Sequence, residues 1–302
     1  MKKAGIGDGF LLVDKDAGWT SHDVVAKIRG LIGGKVGHAG TLDPMATGLL
    51  VVGMGRYTRL LRYVQGLAKE YQATAQFGVA TDSLDADGAV IDRAPLPVTM
   101  SQLEAAAERF RGPILQIPPM VSARKVEGKR LYELARAGEI VEREARPVEI
   151  YALTITDLAP SDYPQVSFDV VCSTGTYVRT LGDDLARALG GRAHLTALRR
   201  VRNGSIGVEA AVGIQTIEDA VNAGAIQELV AAPDVVLADI PVRLIPPPYA
   251  TAARNGAAVP VAVLEGGGGD PTPALVRLVA DGSLVGVYRI DGTAAKAEVV
   301  TA

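Results

Sequence analysis

Residues 147–158, PVEIYALTITDL, and 164–172, PQVSFDVVC, decide the fold. In the second run Val166, Phe168, Val170 and Cys172 alternate with Gln165, Ser167 and Asp169. A period of two places one set of side chains on one face of a strand, and two such neighbouring runs make an antiparallel pair with one buried face. Working outward, KEYQATAQF (69–77) repeats the pattern, with Tyr71, Ala73, Ala75 and Phe77 set against Gln72, Thr74 and Gln76. FLLVD (10–14) and GLLVVGMG (48–55) are short, continuous apolar runs and read as buried strands.

Between them, TSHDVVAKIRGLI (20–32) carries Val24, Val25, Ile28, Leu31 and Ile32 at helical spacing behind Thr20, a predicted N-cap with Asp23 three residues on. Thr99 and Gln102 open a second helix in the same manner, and 175–191 place Val178, Leu181, Leu185 and Leu189 on one stripe of a third. GPILQIPPM (112–120) reads as a break. Strands in irregular order with helices among them predict an α+β fold: a mixed, largely antiparallel central sheet flanked by helices. Composition shifts near Pro241, where RLIPPPY (243–249) reads as a linker. The strand-forming run ALVRLVADGSLVGVYRI (274–290) then follows a flexible glycine-rich loop at 265–273. One domain is expected over 1–240 and a small β-rich one over 241–302.

The 302 residues are 48% hydrophobic and carry a net charge of −3, so any surface for a polyanion must be local. A single cysteine, Cys172, excludes an intrachain disulfide and multi-cysteine zinc sites. The first apolar run is too short for a signal peptide or a membrane span, and a cytoplasmic protein that does not act at a membrane is expected.

The stretch VGHAGTLDPMATG (36–48) sets His38 and Asp43 in a glycine-rich turn. An Asp before Pro is commonly a turn cap; the functional alternative requires a cation nearby to keep the carboxylate ionised, and Arg179 of GTYVRT could supply it only by tertiary contact. His38 has small neighbours, so it either bonds a backbone carbonyl or meets a ligand. His22, His38 and His194 form no metal-binding spacing, and the glycines match no nucleotide cradle, so neither a metal nor a small-molecule cofactor is expected. Residues 124–136 hold Arg124, Lys125, Lys129, Arg130 and Arg136 against Glu127 and Glu133, five cations less two acids, with Tyr132 among them. LRRVRN adds Arg199, Arg200 and Arg202. Either patch alone reads as a solvated face; two on an acidic chain point to a polyanionic substrate.

Five blocks carry a resemblance in order. They are LLVDKDAGWTSHDVV, KVGHAGTLDPMATGLLVVGMGRYTR, KEYQATAQFGVATDSLDADG, QIPPMVSARKVEGKRLYELARAG and CSTGTYVRTLGDDLARALGGRAHLTALRR. The chain resembles the tRNA pseudouridine synthases of the TruB type, which isomerise the uridine at position 55 in the T-loop of tRNA. The resemblance implies the pseudouridine synthase fold, no cofactor, and a tRNA T-arm as partner. It implies that Asp43 attacks the target nucleotide, that Tyr71 stacks on the base and serves proton transfer at C5, and that Arg179 pairs with Asp43. For RNA binding it implies His38 in the vacated T-loop, Lys15 beneath the active-site loop, and Tyr177, Arg199 and Arg200 near the substrate. It also implies a clamping insertion at about 120–147 with Arg124, Lys125, Lys129 and Arg130 on phosphates, and a PUA-like C-terminal domain. Where the family has Lys-Pro-x-Gly, this chain has Lys15-Asp16-Ala17-Gly18. The physical need is consistent: a base inside a folded loop must be extruded and stacked, and a glycosidic bond must be remade with a carboxylate's help. One rival reading is an RNA-folding or RNA-binding module whose chemistry is secondary; another is a glycosidase-like metabolic enzyme using Asp43 with Asp82 or Asp85, which leaves the basic patches idle. A monomer is expected.

Overall fold

The computed structural model describes residues 7–119, 125–126, 129–130, 143–266 and 275–301. The strands of its first part are β1 (Gly9–Lys15), β2 (Val36–Ala39), β3 (Thr47–Met54), β4 (Lys69–Phe77), β5 (Val79–Thr81), β6 (Val90–Arg93) and β7 (Gly112–Gln116). They continue with β8 (Lys125–Val126), β9 (Lys129–Arg130), β10 (Arg146–Ala159), β11 (Gln165–Cys172), β12 (Ala193–Asn203) and β13 (Ile206–Gly207). Nine of them form one sheet in the order β1-β3-β12-β4-β11-β10-β7, with β2 added to β3 and β13 to β12. The pair β10–β11 is antiparallel with Leu153 opposite Val170, as the alternation of their sequences dictates. The one parallel contact in this sheet joins β3 to β12, with Gly48 opposite Arg200. Gly48 holds φ at +99°, and a Cβ there would stand 2.3 Å from the Arg200 carbonyl oxygen, so this junction admits only glycine.

Helices α1 (Ser21–Ile32), α2 (Leu61–Gln65), α3 (Met100–Glu108), α4 (Val178–Ala188) and α5 (Ile214–Ala223) flank the sheet. Both anticipated N-caps close as reciprocal capping boxes, Thr20 with Asp23 and Thr99 with Gln102. Along β1, Leu11 and Val13 enter the core that holds Val24, Ile28, Leu103, Leu181 and Leu185, while Phe10 and Leu12 enter a second core with Leu60, Leu61 and Val64. Because both faces of β1 are covered, its sequence is an unbroken apolar run rather than an alternation.

Three sequence expectations change. GPILQIPPM is not merely a break: residues 112–116 form β7, the sheet's edge, where proline can sit on the rim. LRRVRN, read as a charged surface patch, belongs to β12 in the middle of the sheet. RLIPPPY is not a linker, for it ends β14 (Val242–Leu244) and begins helix α6 (Pro247–Arg254), whose first turn tolerates prolines because its N–H groups need no helical partner. With β15 (Val259–Pro260), β16 (Leu275–Ala280), β17 (Ser283–Asp291) and β18 (Ala294–Val300), β14 builds a separate five-stranded sheet. Val287 and Val299 of that sheet join the second core, and Glu298 accepts from Arg62, Tyr63 and Arg289. The glycine-rich loop lies outside the described residues from position 267 on.

Candidate active site

The loop between β2 and β3 is held from below before any reacting group is considered. Leu42 and Ala46 are buried, and Leu42 exchanges hydrogen bonds with the hydroxyl of Ser21 at the start of α1. The Lys15 ammonium, 1% exposed at the end of β1, donates to the carbonyl oxygens of Asp16, Trp19 and Pro44 at 2.9, 2.6 and 3.2 Å. Gly18 N–H adds a bond to the Pro44 carbonyl at 2.9 Å. One lysine therefore staples the 16–19 turn to Pro44, which supplies by hydrogen bonding the rigidity that a proline after Lys15 would give by its ring. Burial lowers the pKa of Lys15 to about 8, with Asp16 and Asp43 opposing that shift.

Asp43, next to Pro44 on this staple, faces Arg179 in the first turn of α4. The guanidinium takes the carboxylate bidentately, Nε to Oδ2 at 2.9 Å and Nη2 to Oδ1 at 2.9 Å. Its third nitrogen, Nη1, donates to the Ser83 carbonyl at 2.8 Å and lies 3.1 Å from a carboxylate oxygen of Asp85. Arg179 is 3% exposed, Asp85 6% and Asp43 32%, so the Asp43 carboxylate is the open end of a buried acid–guanidinium–acid chain. Burial raises the pKa of Asp43 above the ordinary carboxylate value; Arg179 works against that shift and Asp85 adds to it. The sequence argument expected Arg179 to leave the pKa low, but desolvation outweighs it.

Asp43 and Arg179 line a cleft of 280 Å³ with Gly40, Thr41, Lys69, Tyr71, the 173–177 turn, Leu198 and Arg200. Lys69 and Tyr71 are alternate residues of β4 and share its inward face. The Tyr71 hydroxyl bonds Arg200, and burial raises its pKa, so it stays protonated at neutral pH. Tyr177 N-caps α4 and is fixed through its backbone by buried Gln116, which accepts from its N–H at 2.9 Å and donates to its carbonyl at 3.2 Å. The cleft thus offers an aromatic surface, a carboxylate held by arginine, and several buried cations.

Residues 27–178 match the family described as TruB family pseudouridylate synthase (N terminal domain), and residues 179–237 match the tRNA pseudouridylate synthase B C-terminal domain. The chain belongs to the TruB family of pseudouridylate synthases. The tRNA pseudouridine synthase B of Leifsonia xyli is 41% identical over 297 residues, covering 96% of this chain and 95% of that protein. The Thermobifida fusca protein of the same name is 48% identical over 219 residues, 70% of this chain and 75% of its own. Among solved structures, a chain of a Cbf5-Nop10-Gar1 complex superposes with a TM-score of 0.73 at 25% identity over 97% of this chain and 84% of that one.

For this TruB-family chain the residues anticipated from sequence divide into three sets. Asp43, Tyr71, Arg179 and Tyr177 come together in the cleft. Lys15 is the buried staple, beneath the loop that carries Asp43 as the resemblance implied. Two other expected substrate contacts make their bonds within the protein. Arg200 lines the cleft but is 1% exposed, its guanidinium donating to the carbonyls of Leu49 and Gly40. Arg199, on the alternate face, is paired with Asp14 at 2.7 Å. His38 is half-buried on β2, two residues before the cleft's first lining residue, with its ring edge-on to His22 at 5.8 Å. Burial, with His22 and Arg200, takes its pKa down to about 4, so it is neutral. Arg124 lies outside the described residues, and for Lys125, Lys129 and Arg130 only the backbone ladder β8–β9 is described. Sequence reasoning missed Lys69 as a cleft residue and Asp85 as the second partner of Arg179; the K-x-Y spacing was the available signal for the first.

The staple makes a direct prediction. Lys15→Met removes the ammonium shared by three carbonyls, leaving Pro44 only its bond from Gly18 N–H, and loosens the loop under Asp43, so the single-turnover rate falls about 100-fold, the loss expected of a misplaced reacting group. RNA affinity, measured by filter binding, stays within about threefold because Lys15 is not at the surface. A rate equal to wild type would show that Pro44 is positioned without Lys15.

Proposed function

We propose that the chain isomerises the uridine at position 55 in the T-loop of tRNA to pseudouridine, with Asp43 as the nucleophile toward the extruded nucleotide. The observation that carries this reading is the bidentate Arg179–Asp43 pair beside Tyr71 in one open cleft. Extrusion costs the target base its stacking, and an aromatic ring that receives it returns about 1–3 kcal/mol, the part given to Tyr71. Arg179 orients Asp43 and opposes the effect of burial, favouring the carboxylate form needed for attack. His38, small-flanked and neutral, fills the space the base leaves. The basic segment around Lys125, Lys129 and Arg130 and the C-terminal sheet, a PUA-like unit in this reading, position the RNA through its phosphates. The protein acts as a monomer on one T-arm, without a cofactor. Curated relatives that carry the name tRNA pseudouridine synthase B along nearly the full chain support the substrate class.

The test is a hairpin of the T-arm stem and loop, incubated with the protein and mapped by mass spectrometry after pseudouridine-specific derivatisation. Pseudouridine at the position equivalent to 55, and nowhere else in the hairpin, is expected. Absence of product from both the hairpin and full-length tRNA would overturn the reading.

A further inference from the structure

The cleft holds two cations, Lys69 and Arg200, that among the described residues are hydrogen-bonded to no carboxylate. Lys69 is 5% exposed, and its ammonium donates to the carbonyl oxygens of Gln65 and Leu67. An ammonium has three N–H donors, so one remains, on a side chain that lines the cleft with Asp43 and Tyr71. The ionisable groups that act on Lys69 are Arg200 and the neutral Cys172 thiol, and neither is a carboxylate. Arg200 beside it is likewise met by backbone carbonyls and the Tyr71 hydroxyl. Burying an unpaired cation is costly, and the apparent deficit is resolved when a negative charge arrives with the substrate.

We propose that Lys69 is a catalytic residue, donating its remaining N–H to a carbonyl oxygen of the extruded uracil and stabilising the negative charge that the ring carries during isomerisation. This rests on the isomerase reading above. When the C1′–N1 bond breaks, its electron pair stays on N1 and is shared with the ring carbonyls, while an Asp43 oxygen bonds C1′. The turned ring then forms the C5–C1′ bond as the Asp43–C1′ bond breaks and its pair returns to the carboxylate. The C5 proton leaves and N1 gains a proton, so the sum is an isomerisation. If Asp43 instead adds to C6, the C5=C6 pair moves onto O4, and the ring again holds the charge. A cation at a ring carbonyl serves both routes, and Arg200, through the Tyr71 hydroxyl, reinforces it.

Single-turnover conversion of the T-arm hairpin at saturating enzyme tests the assignment. Lys69→Met is expected to slow conversion about 100-fold or more while hairpin affinity stays within about threefold, since the charge it answers exists only during reaction. Conversion within about fivefold of wild type, or a defect confined to affinity, overturns it. If Lys69→Met does not fold, Lys69→Arg decides. Lys69 and Lys15 both have pKa values lowered to about 8, so the wild-type rate falls on the alkaline side from either. The other groups facing Lys69 are Arg200 on β12, Tyr71 on β4, Cys172 on β11, whose thiol is pushed up to about 11, and Asp43 and Arg179 at the mouth. An arginine stays charged throughout, so Lys69→Arg should convert substrate, and combined with Lys15→Arg, which removes the other group of similar pKa, it should show the alkaline fall lost or moved upward relative to Lys15→Arg alone; a fall identical in Lys15→Arg and the double variant overturns the proposal. Wild-type conversion in the same assay keeps the two questions apart: no wild-type product refutes the isomerase reading, whereas product with both Lys69 variants at wild-type behaviour refutes the role of Lys69 alone.

Discussion

Asp43→Asn forms no pseudouridine: a loss of more than about 10⁴-fold in single-turnover rate is the expected result, because the amide oxygen cannot replace a carboxylate that must bond carbon and leave again. The same variant should bind the T-arm hairpin as wild type does, since the basic surfaces are untouched. It should also unfold at no lower temperature than wild type. The sign follows from burial raising the Asp43 pKa: the ionised form is disfavoured in the fold, so its contribution to stability is fully present below the unfolded-state pKa and is lost as pH rises through the folded one. At neutral pH the native carboxylate is therefore a cost that asparagine relieves, while Arg179 keeps Asp85 as a partner. Complementation of a deletion strain separates this enzyme from an RNA-folding module. If Asp43→Asn restores growth fully and charge reversals at Lys125 and Lys129 do not, binding rather than chemistry is the function.

Arg179→Ala carries the second large effect, and it acts on both stability and rate. Removing the shared partner of two carboxylates, one of them 6% exposed, costs about 3–5 kcal/mol in urea unfolding at neutral pH. Among the charges acting on Asp43, Arg179 is the largest that lowers its pKa, so its loss moves the acid limb of the rate profile to higher pH and leaves less carboxylate at pH 7. Asp85→Asn supplies the opposite sign. Asp85 raises the pKa of Asp43, so neutralising it shifts the acid limb to lower pH, with a smaller loss of stability because Arg179 keeps Asp43. Limbs that move in the same direction in the two variants would show that the three groups do not act as one chain.

How much of this was legible in the sequence depends on the kind of information each residue carries. The period-two runs that became β4, β10 and β11, and the caps at Thr20 and Thr99, are local patterns, and the structure keeps them. The position of β12 is not local. Its LRRVRN end looks like a solvated basic patch, but two register shifts and a parallel contact with β3 place Arg200 in the interior and Arg199 against Asp14. No composition argument distinguishes those two arginines, because alternation tells faces apart but not which face is buried. The prolines of RLIPPPY misled for a related reason: they mark a linker or a helix start equally well until the neighbouring strands are known. At the site, Asp43 with Arg179 could be anticipated only through the ordered motifs, since 136 positions separate the pair; Asp85 lies in one of those motifs, TDSLDADG, but nothing local tells it from Asp82 or Asp87 as the partner of Arg179.

That long separation has a consequence for how the enzyme comes into being. The family's N-terminal match ends at Val178 and its C-terminal match begins at Arg179, so the carboxylate belongs to one part and its cation to the other. A chain emerging from the ribosome presents Asp43 and Asp85 before it has Arg179, and β12, the strand that joins β3 to β4, follows later still. Closing the loop of chain from Asp43 to Arg179 is a late, entropically expensive step, and it coincides with docking of α4 on the sheet. Activity thereby reports completed folding: a nascent or truncated chain that ends before Arg179 grips no reactive carboxylate and has no isomerase to switch on too early.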